Sequence, residues 1–204
     1  MYLGKNFSEQ KMETYLARLP RVIRNLRLLC SDRGYEGFPD DFDYFSKALE
    51  KKCSIGEVLS CVVKNGREKV SVIFLDPIFD LAKNREVMTS SYQLRGILED
   101  NHVLAISFAK LSPDATKEAQ KLKKELEVLT FATLAFPLSI HRLVPRHTAL
   151  SQDEALEFEK VRGLQRSKLP ILRTSDPVAV WYGWSRNTVV RIERSTGVVW
   201  RCVK

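Results

Sequence analysis

The cysteines and histidines that could bind a metal are few in this 204-residue sequence, and they are widely separated. No two cysteines form a C-x-x-C pair and no pair of histidines accompanies them, so the spacing of a tetrahedral metal site is missing. The residues concerned are Cys30, Cys53, Cys61, Cys202, His102, His141 and His147. The sequence therefore predicts no metal site, and we interpret the cysteines as reduced thiols, mostly buried as small hydrophobic residues.

Carboxylates that could hold a catalytic metal are also poorly placed. A metal nuclease needs several carboxylates that converge on one metal ion, with a lysine nearby. Asp76 ends an apolar stretch and could be a first ligand, but the next apolar stretch, 103–108, contains no acid. The sequence also lacks a glycine-rich phosphate loop, G-x-S-x-G and H-E-x-x-H. We therefore expect no catalytic residues and no cofactor.

Charge is the property with the most uneven distribution along the chain. Residues 1–159 contain 23 Lys and Arg and 23 Asp and Glu, whereas residues 160–204 contain ten basic and only two acidic residues. All of the net charge of +8 therefore lies in the last 45 residues. Such a segment is typical of a surface that binds nucleic acid or an acidic protein, although a solvated basic face without a partner would look the same.

The elements that position these residues alternate between helix and strand over 1–140. A helical pattern covers 22–30, with Pro20 expected in its first turn. Strands are predicted at Val58–Val63 and Val70–Leu75, where the Asn-Gly between them indicates a hairpin. Further strands are predicted at Val103–Phe108 and Val128–Phe136, with a helix that begins at Ser112-Pro113 between them. This order predicts an α/β layer structure.

The last part of the chain forms a second, smaller unit in this interpretation. Ser151 and Glu154 form a capping box that opens a helix to about residue 162. Asp176 and Pro177 begin a short helix that Gly183 ends. Thr188–Ile192 and Val198–Val203 are then predicted to pair as a hairpin. A unit of about 60 residues buries little surface by itself, which favours docking onto something larger.

No part of the sequence predicts a membrane segment. No stretch approaches the ~20 consecutive apolar residues that a spanning helix needs. The first twenty residues contain five charged side chains and no apolar signal-peptide core. We therefore expect an intracellular protein that does not associate with membranes.

The segment Leu169–Gly183, LPILRTSDPVAVWYG, resembles the signature of the fifth shared subunit of eukaryotic nuclear RNA polymerases, whose C-terminal domain has an archaeal counterpart. That signature has Leu-Pro, a basic residue, Ile, three variable positions, Asp-Pro-Val-Ala, three positions and Gly. Leu143–His147 and Thr188–Ile192 are similar to neighbouring parts of the same domain, and Leu29–Tyr35 is similar to the end of the family's first helix.

The resemblance implies an α/β (α+β) protein of two domains with a non-catalytic role. Residues 1–141 would form a jaw domain with a mixed sheet flanked by helices, similar to a nuclease fold without its catalytic residues. Residues 142–204 would form a small α/β assembly domain that docks on the largest polymerase subunit, with other polymerase subunits nearby and no homo-oligomer. The docking or scaffold residues that match are Leu169, Pro170, Leu172, Asp176, Pro177, Val178, Ala179 and Gly183. Alternatively, most of them only build the core and shape the short helix.

The resemblance also implies contact between the jaw and downstream double-stranded DNA. The family has Thr-Pro-Ser-Ala at a helix start, where this sequence has Ser112, Pro113, Asp114 and Ala115. Free N–H groups at a helix start attract phosphate, whereas the Asp114 carboxylate repels it. Lys117 and the lysines that follow it would restore the attraction. We expect weak, sequence-independent contact, with a plain helix cap as the alternative.

Departures from the family pattern indicate the origin of the chain. Ile171 and Val180 stand at positions that are usually or often basic in the family, and Asn187 replaces a Gly, which a left-handed Asn can mimic. This divergence is typical of a subunit encoded by a large DNA virus, with African swine fever virus the best fit. The protein would then act in the host cytoplasm and the virion, whereas a cellular subunit would act in the nucleus. The functional alternative is a free-standing basic nucleic-acid-binding factor.

Overall fold

A computed structural model describes residues 3–38, 61–65, 68–74, 102–108, 110, 113 and 126–204. The chain divides into two compact units, 1–135 and 136–204. Both units combine helix and sheet, as the α/β prediction requires.

The first unit begins with helix α1, Leu3–Asp32. Its buried face includes Leu19, Val22, Leu26 and Leu29. The helix starts earlier than the sequence predicts. Pro20 therefore lies inside it rather than in its first turn. Pro20 is exposed, and its ring removes one main-chain donor from the helix.

Helix α1 ends at Asp32, two residues before Gly34. Gly34 adopts a left-handed φ of 72°. Its N–H donates to Ser31 O at 2.9 Å, and Tyr35 N–H donates to Cys30 O at 2.8 Å. These two bonds form a Schellman motif, which satisfies carbonyls that a helix end otherwise leaves without donors.

The first sheet contains β1 (Cys61–Asn65), β2 (Glu68–Phe74), β3 (His102–Ser107) and β4 (Leu126–Thr130), in that spatial order. β1 and β2 are antiparallel with Asn65 opposite Glu68, which confirms the predicted hairpin with β1 shifted toward its turn. β2, β3 and β4 run parallel. The sheet is therefore mixed, and its central strand β3 is buried along five of its six residues.

The predicted strand Val128–Phe136 is wrong beyond Thr130. Thr133 N–H donates to Thr130 Oγ1 at 3.2 Å, and Leu134 N–H donates to Thr130 O at 3.1 Å. The chain therefore turns, since a threonine side chain offers the backbone an alternative to the sheet ladder. Asn25 Nδ2 then donates to Leu134 O at 2.7 Å and attaches this turn to α1.

The second unit is described completely. Its elements are β5 (Arg146–Ala149), α2 (Gln152–Arg162), β6 (Ile171–Leu172), α3 (Pro177–Tyr182), β7 (Val189–Arg194) and β8 (Gly197–Val203). The sheet order is β5-β7-β8-β6, with β6 parallel to β8 and the other pairs antiparallel. The predicted hairpin and both helices are confirmed, whereas the outer strands β5 and β6 were not predicted.

Each face of the second sheet has its own core. Adjacent residues of a strand point to opposite faces. Val190 and Val203 therefore pack with Ala179 of α3, while Val189 and Cys202 pack with Ala155 of α2. The second unit is a sheet between two short helices.

Candidate subunit interface

The short helix α3 begins and ends as its residues predict. The Asp176 carboxylate accepts from Val178 N–H at 2.9 Å, and Pro177 occupies the first turn. At the other end, Gly183 has a left-handed φ of 66°, and Trp184 N–H donates to Ala179 O at 3.0 Å. These contacts fix both ends of a helix that is only six residues long.

Most of the apolar residues in the signature segment are core. Leu169, Leu172, Val178 and Ala179 are 8% exposed or less. Trp181, which lies in the same segment, is fully buried. The remaining proposed residues Pro170, Pro177 and Gly183 are exposed, and Asp176 is half-buried. The apolar residues of the segment therefore form part of the core of the second unit.

The surface of the second unit carries the exposed apolar side chains. Among the residues that the structure describes, every large hydrophobic side chain counted as exposed lies in 136–204; these are Phe136, Ile140, Leu143, Leu156, Val161, Leu164, Ile171 and Val198. Their exposed fractions run from 44% for Leu164 to 77% for Leu143 and Val161. These eight side chains offer apolar surface for contact with another protein.

Two of the twelve Lys and Arg residues of the second unit pair with a carboxylate. Arg166 is held by Glu159 through two side-chain hydrogen bonds of 2.9 and 3.1 Å, and Arg191 lies 2.6 Å from Glu193. Hydrogen bonds with Arg166 lower the pKa of Glu159. Within 136–204, eight exposed basic residues have no acidic partner: Arg142, Arg146, Lys160, Arg162, Lys168, Arg173, Arg186 and Arg194. The second unit as a whole has twelve Lys and Arg against six Asp and Glu, a net charge of +6.

Several contacts in the second unit were not predicted. Glu159 and Arg166 are seven residues apart and lie on different elements, so helical spacing gives no sign of their contact. The Tyr182 and Trp184 rings stack with centroids 4.7 Å apart, and Phe158 packs on Trp200 at 4.5 Å. Only the three-dimensional fold brings these pairs together.

The first unit contains a partly buried ion pair that sequence analysis missed. Arg33 donates from Nη1 and Nη2 to the two Glu127 oxygens at 2.7 and 2.8 Å, and His102 Nε2 lies 3.8 Å from Glu127 Oε2. Burial opposes ionisation of Glu127, but the hydrogen bonds from Arg33 and the proximity of His102 outweigh it and lower the pKa of Glu127 to about 2. The pair joins the end of α1 to β4.

The structure describes only one of the five proposed DNA-proximal residues. Pro113 is exposed. Ser112, Asp114, Ala115 and Lys117 lie outside the described residues, as does Asp76. The interpretation of these residues stays a prediction.

The described part of the chain contains neither a metal-binding cluster nor a helix suited to a membrane. There, no group of three His, Cys, Asp or Glu side chains could hold a metal ion. Cys30 and Cys202 are buried thiols, and burial raises the pKa of Cys202. No helix in the described ranges is both long enough and apolar enough to cross a bilayer.

Comparisons with known proteins agree on one family. The family model "RNA polymerase Rpb5, C-terminal domain" matches residues 136–203. The chain is 27% identical to the Dictyostelium discoideum protein "DNA-directed RNA polymerases I, II, and III subunit rpabc1", over 91% of this chain and 94% of that protein. It is 25% identical to the Caenorhabditis elegans subunit RPABC1, over 96% and 97% of the two chains.

An archaeal relative covers a shorter part of the chain. "DNA-directed RNA polymerase subunit Rpo5" of Archaeoglobus fulgidus is 36% identical over 63 residues, which are 31% of this chain and 83% of that protein. The similarity to the eukaryotic proteins extends over both units, whereas the archaeal similarity is confined to a segment of about one unit's length.

Proposed function

The chain belongs to the Rpb5 family of RNA polymerase subunits, and from this membership we propose that it is a non-catalytic subunit of a multisubunit DNA-dependent RNA polymerase. The observation that carries the proposal is the match of residues 136–203 to the family. These are almost the same residues as the second compact unit, 136–204. The eukaryotic relatives, which are shared polymerase subunits by name, support the same role for the whole chain.

The second unit docks on the largest polymerase subunit in this proposal. The exposed apolar residues of this unit supply surface that gains free energy on burial against another protein. The core residues Leu172, Val178 and Ala179 hold that surface in shape without contacting the partner. The same proposal places the boundary between the jaw domain and the assembly domain after residue 141.

The first unit forms a jaw beside downstream DNA in this proposal. Ser112, Pro113, Asp114, Ala115 and Lys117 would lie at a helix start near the phosphate backbone. Because phosphates carry no base information, the contact would be weak and independent of sequence. Crosslinking DNA to protein in an engaged polymerase should give adducts within 110–124, and their absence would refute the contact. The Asp114→Ser variant should raise the crosslinking yield, because it removes a charge that repels phosphate.

A free-standing nucleic-acid-binding factor is the second candidate function. The eight exposed basic residues without acidic partners in 136–204 favour it, since such residues could bind phosphates directly. Binding of DNA by the isolated chain at sub-micromolar concentration, with strong weakening by salt, would support this candidate. If the chain is a polymerase subunit instead, the isolated chain should bind DNA only weakly under the same conditions.

Sedimentation of a native extract tests the main proposal. The chain should travel through a glycerol gradient with the RNA-synthesising activity, far ahead of a 23.4 kDa protein. Sedimentation at the position of a small free protein would refute the proposal.

Imaging of the same cells tests the origin, since a viral subunit should be found in the host cytoplasm and virion and a cellular one in the nucleus.

A further inference from the structure

The two outer strands of the second sheet are protected to different degrees. β6 has only two residues, and its Ile171 carbonyl accepts from Arg201 Nη1 at 3.1 Å. A short strand and a side chain that occupies the edge both prevent another strand from pairing there. The edge at β6 is therefore closed, and the opposite edge of the sheet, at β5, is the one available to a partner.

The register of β5 on β7 shows which main-chain groups are available. Leu150 N–H donates to Val189 O at 2.9 Å, which makes Leu150 and Val189 a hydrogen-bonded pair. Such pairs alternate along an antiparallel ladder. In the register observed, Thr148 and Arg146 therefore point their main-chain groups toward β7. The N–H and C=O groups of His147 and Ala149 point away from the sheet.

The outward groups of His147 and Ala149 meet no further strand in the second unit, because β5 is its outermost strand. Unpaired N–H and C=O groups along an edge form a template for an added strand. Two of the four residues of β5, His147 and Ala149, direct both the main-chain N–H and the C=O away from the sheet. The edge can therefore form up to four main-chain hydrogen bonds with an added strand.

Charge beside β5 determines what kind of segment fits. Arg142 and Arg146 are exposed. Glu193, which lies opposite Arg146 in the ladder, is bonded to Arg191 at 2.6 Å instead. The second unit has twelve Lys and Arg against six Asp and Glu, a net charge of +6. A second copy of this chain would bring the same positive charge to the edge, whereas an acidic segment would be attracted.

We propose, on the basis of the function proposed above, that an extended acidic segment of another polymerase subunit adds to the edge of β5. The segment pairs with the main chain of His147 and Ala149 and places carboxylates beside Arg146 and Arg142. Leu143, 77% exposed and three residues before β5, offers apolar surface to the same segment. Main-chain pairing supplies affinity, and the two arginines select acidic sequence.

Residue-resolved hydrogen exchange of the full chain, free and in purified polymerase, tests this pairing. In the free chain, the amides of His147 and Ala149 should exchange at least tenfold faster than those of Thr148 and Leu150. In the polymerase, all four should be slow. Unchanged fast exchange at His147 and Ala149 in a polymerase that contains the chain would overturn the pairing but not the proposed function. Protection in the free chain that rises with its concentration would also overturn it, in favour of a second copy.

Two charge reversals provide a matched pair of variants. Arg146→Glu places repulsion at the edge of β5, whereas Arg173→Glu makes the same change just after β6, at the opposite edge. Both side chains are exposed, so both variants should fold, with Arg146→Glu slightly less stable because the new carboxylate lies opposite Glu193 in the ladder. The Arg146→Glu chain should be recovered with polymerase at one tenth of the normal level or less, and the Arg173→Glu chain at the normal level. Equal recovery of the two variants would overturn the proposal.

Discussion

The ion pair between Arg33 and Glu127 predicts how the first unit responds to acid. The Arg33 side chain is 4% exposed and that of Glu127 is 25% exposed. Two short hydrogen bonds join them, so the carboxylate is held in its charged form. Since the residues are 94 positions apart, the pair forms only when α1 and β4 are folded together.

The size of the effect follows from the pKa. Folding lowers the pKa of Glu127 from an ordinary 4.5 to about 2, which corresponds to about 3 kcal/mol, at 1.36 kcal/mol per pH unit. Below pH 4.5 the unfolded chain takes up a proton at this position while the folded chain does not. The stabilisation is therefore complete above about pH 5 and is lost as the pH falls toward 2.

The variant Glu127→Gln tests this reasoning. At pH 7 it replaces the carboxylate that accepts both hydrogen bonds from Arg33, so the free energy of unfolding should fall by about 3–5 kcal/mol. The difference from the unsubstituted chain should shrink as the pH falls from about 5 to about 2. The variant Glu157→Gln, at an exposed position on α2, is the control. It should change neither the free energy of unfolding at pH 7 nor its dependence on pH.

Hydrogen exchange in α1 and β4 is the appropriate measurement, because all three tryptophans lie in the second unit and their fluorescence does not report directly on the first. Exchange should be followed by mass spectrometry at several pH values, after correction for the intrinsic pH dependence of exchange. The free energies of unfolding of Glu127→Gln and the unsubstituted chain should differ less near pH 2 than at pH 7. If the difference is the same at both pH values, the assignment of a lowered pKa to Glu127 is wrong.

Two further substitutions test the turns of the second unit, with tryptophan fluorescence as the reporter of thermal unfolding. Asp176→Ala removes the acceptor for Val178 N–H, and should destabilise the unit by about 1 kcal/mol; an unchanged melting curve would show that the cap contributes nothing. Asn187 has a left-handed φ of 70°, so Asn187→Ala should cost about 1 kcal/mol whereas Asn187→Gly should be nearly neutral. Equal melting temperatures for these two variants would contradict the role of backbone conformation at this position.

Local sequence patterns predicted the elements whose ends are fixed by their own residues. The capping box of α2 is present, with Ser151 N–H donating to Glu154 at 2.7 Å and Glu154 N–H donating to the Ser151 hydroxyl at 3.3 Å. Both ends of α3 and the hairpin of β7 and β8 were predicted for the same reason. Each of these signals lies within a few neighbouring residues, and the chemistry that produces it is local.

Elements that depend on distant contacts could not be predicted in the same way. β6 has two residues and exists only because β8 lies beside it. Val128–Phe136 has the composition of a strand, but the Thr130–Thr133 contact and the bond from Asn25 redirect it. Pro20 is tolerated inside α1, where packing of a long buried face outweighs one missing hydrogen bond.

The candidate interface was predicted only in outline. The spacing of apolar residues along the sequence indicates which faces are buried. The residues predicted in the signature segment therefore include core residues such as Leu172 and Ala179. Exposed residues such as Leu143 and Val161 follow no period, and the sequence alone gives no sign that they are exposed. Likewise, the open edge of β5 is a property of strand order, which no local pattern encodes.

Affinity purification of the tagged protein from its native source, followed by mass spectrometry after a moderate-salt wash, tests the central claim most directly. Membership of a polymerase predicts recovery of two very large polymerase subunits in stoichiometric amounts, unaffected by nuclease treatment. Recovery of the chain alone, or only with nucleic acid that nuclease removes, would contradict the claim that it is a polymerase subunit.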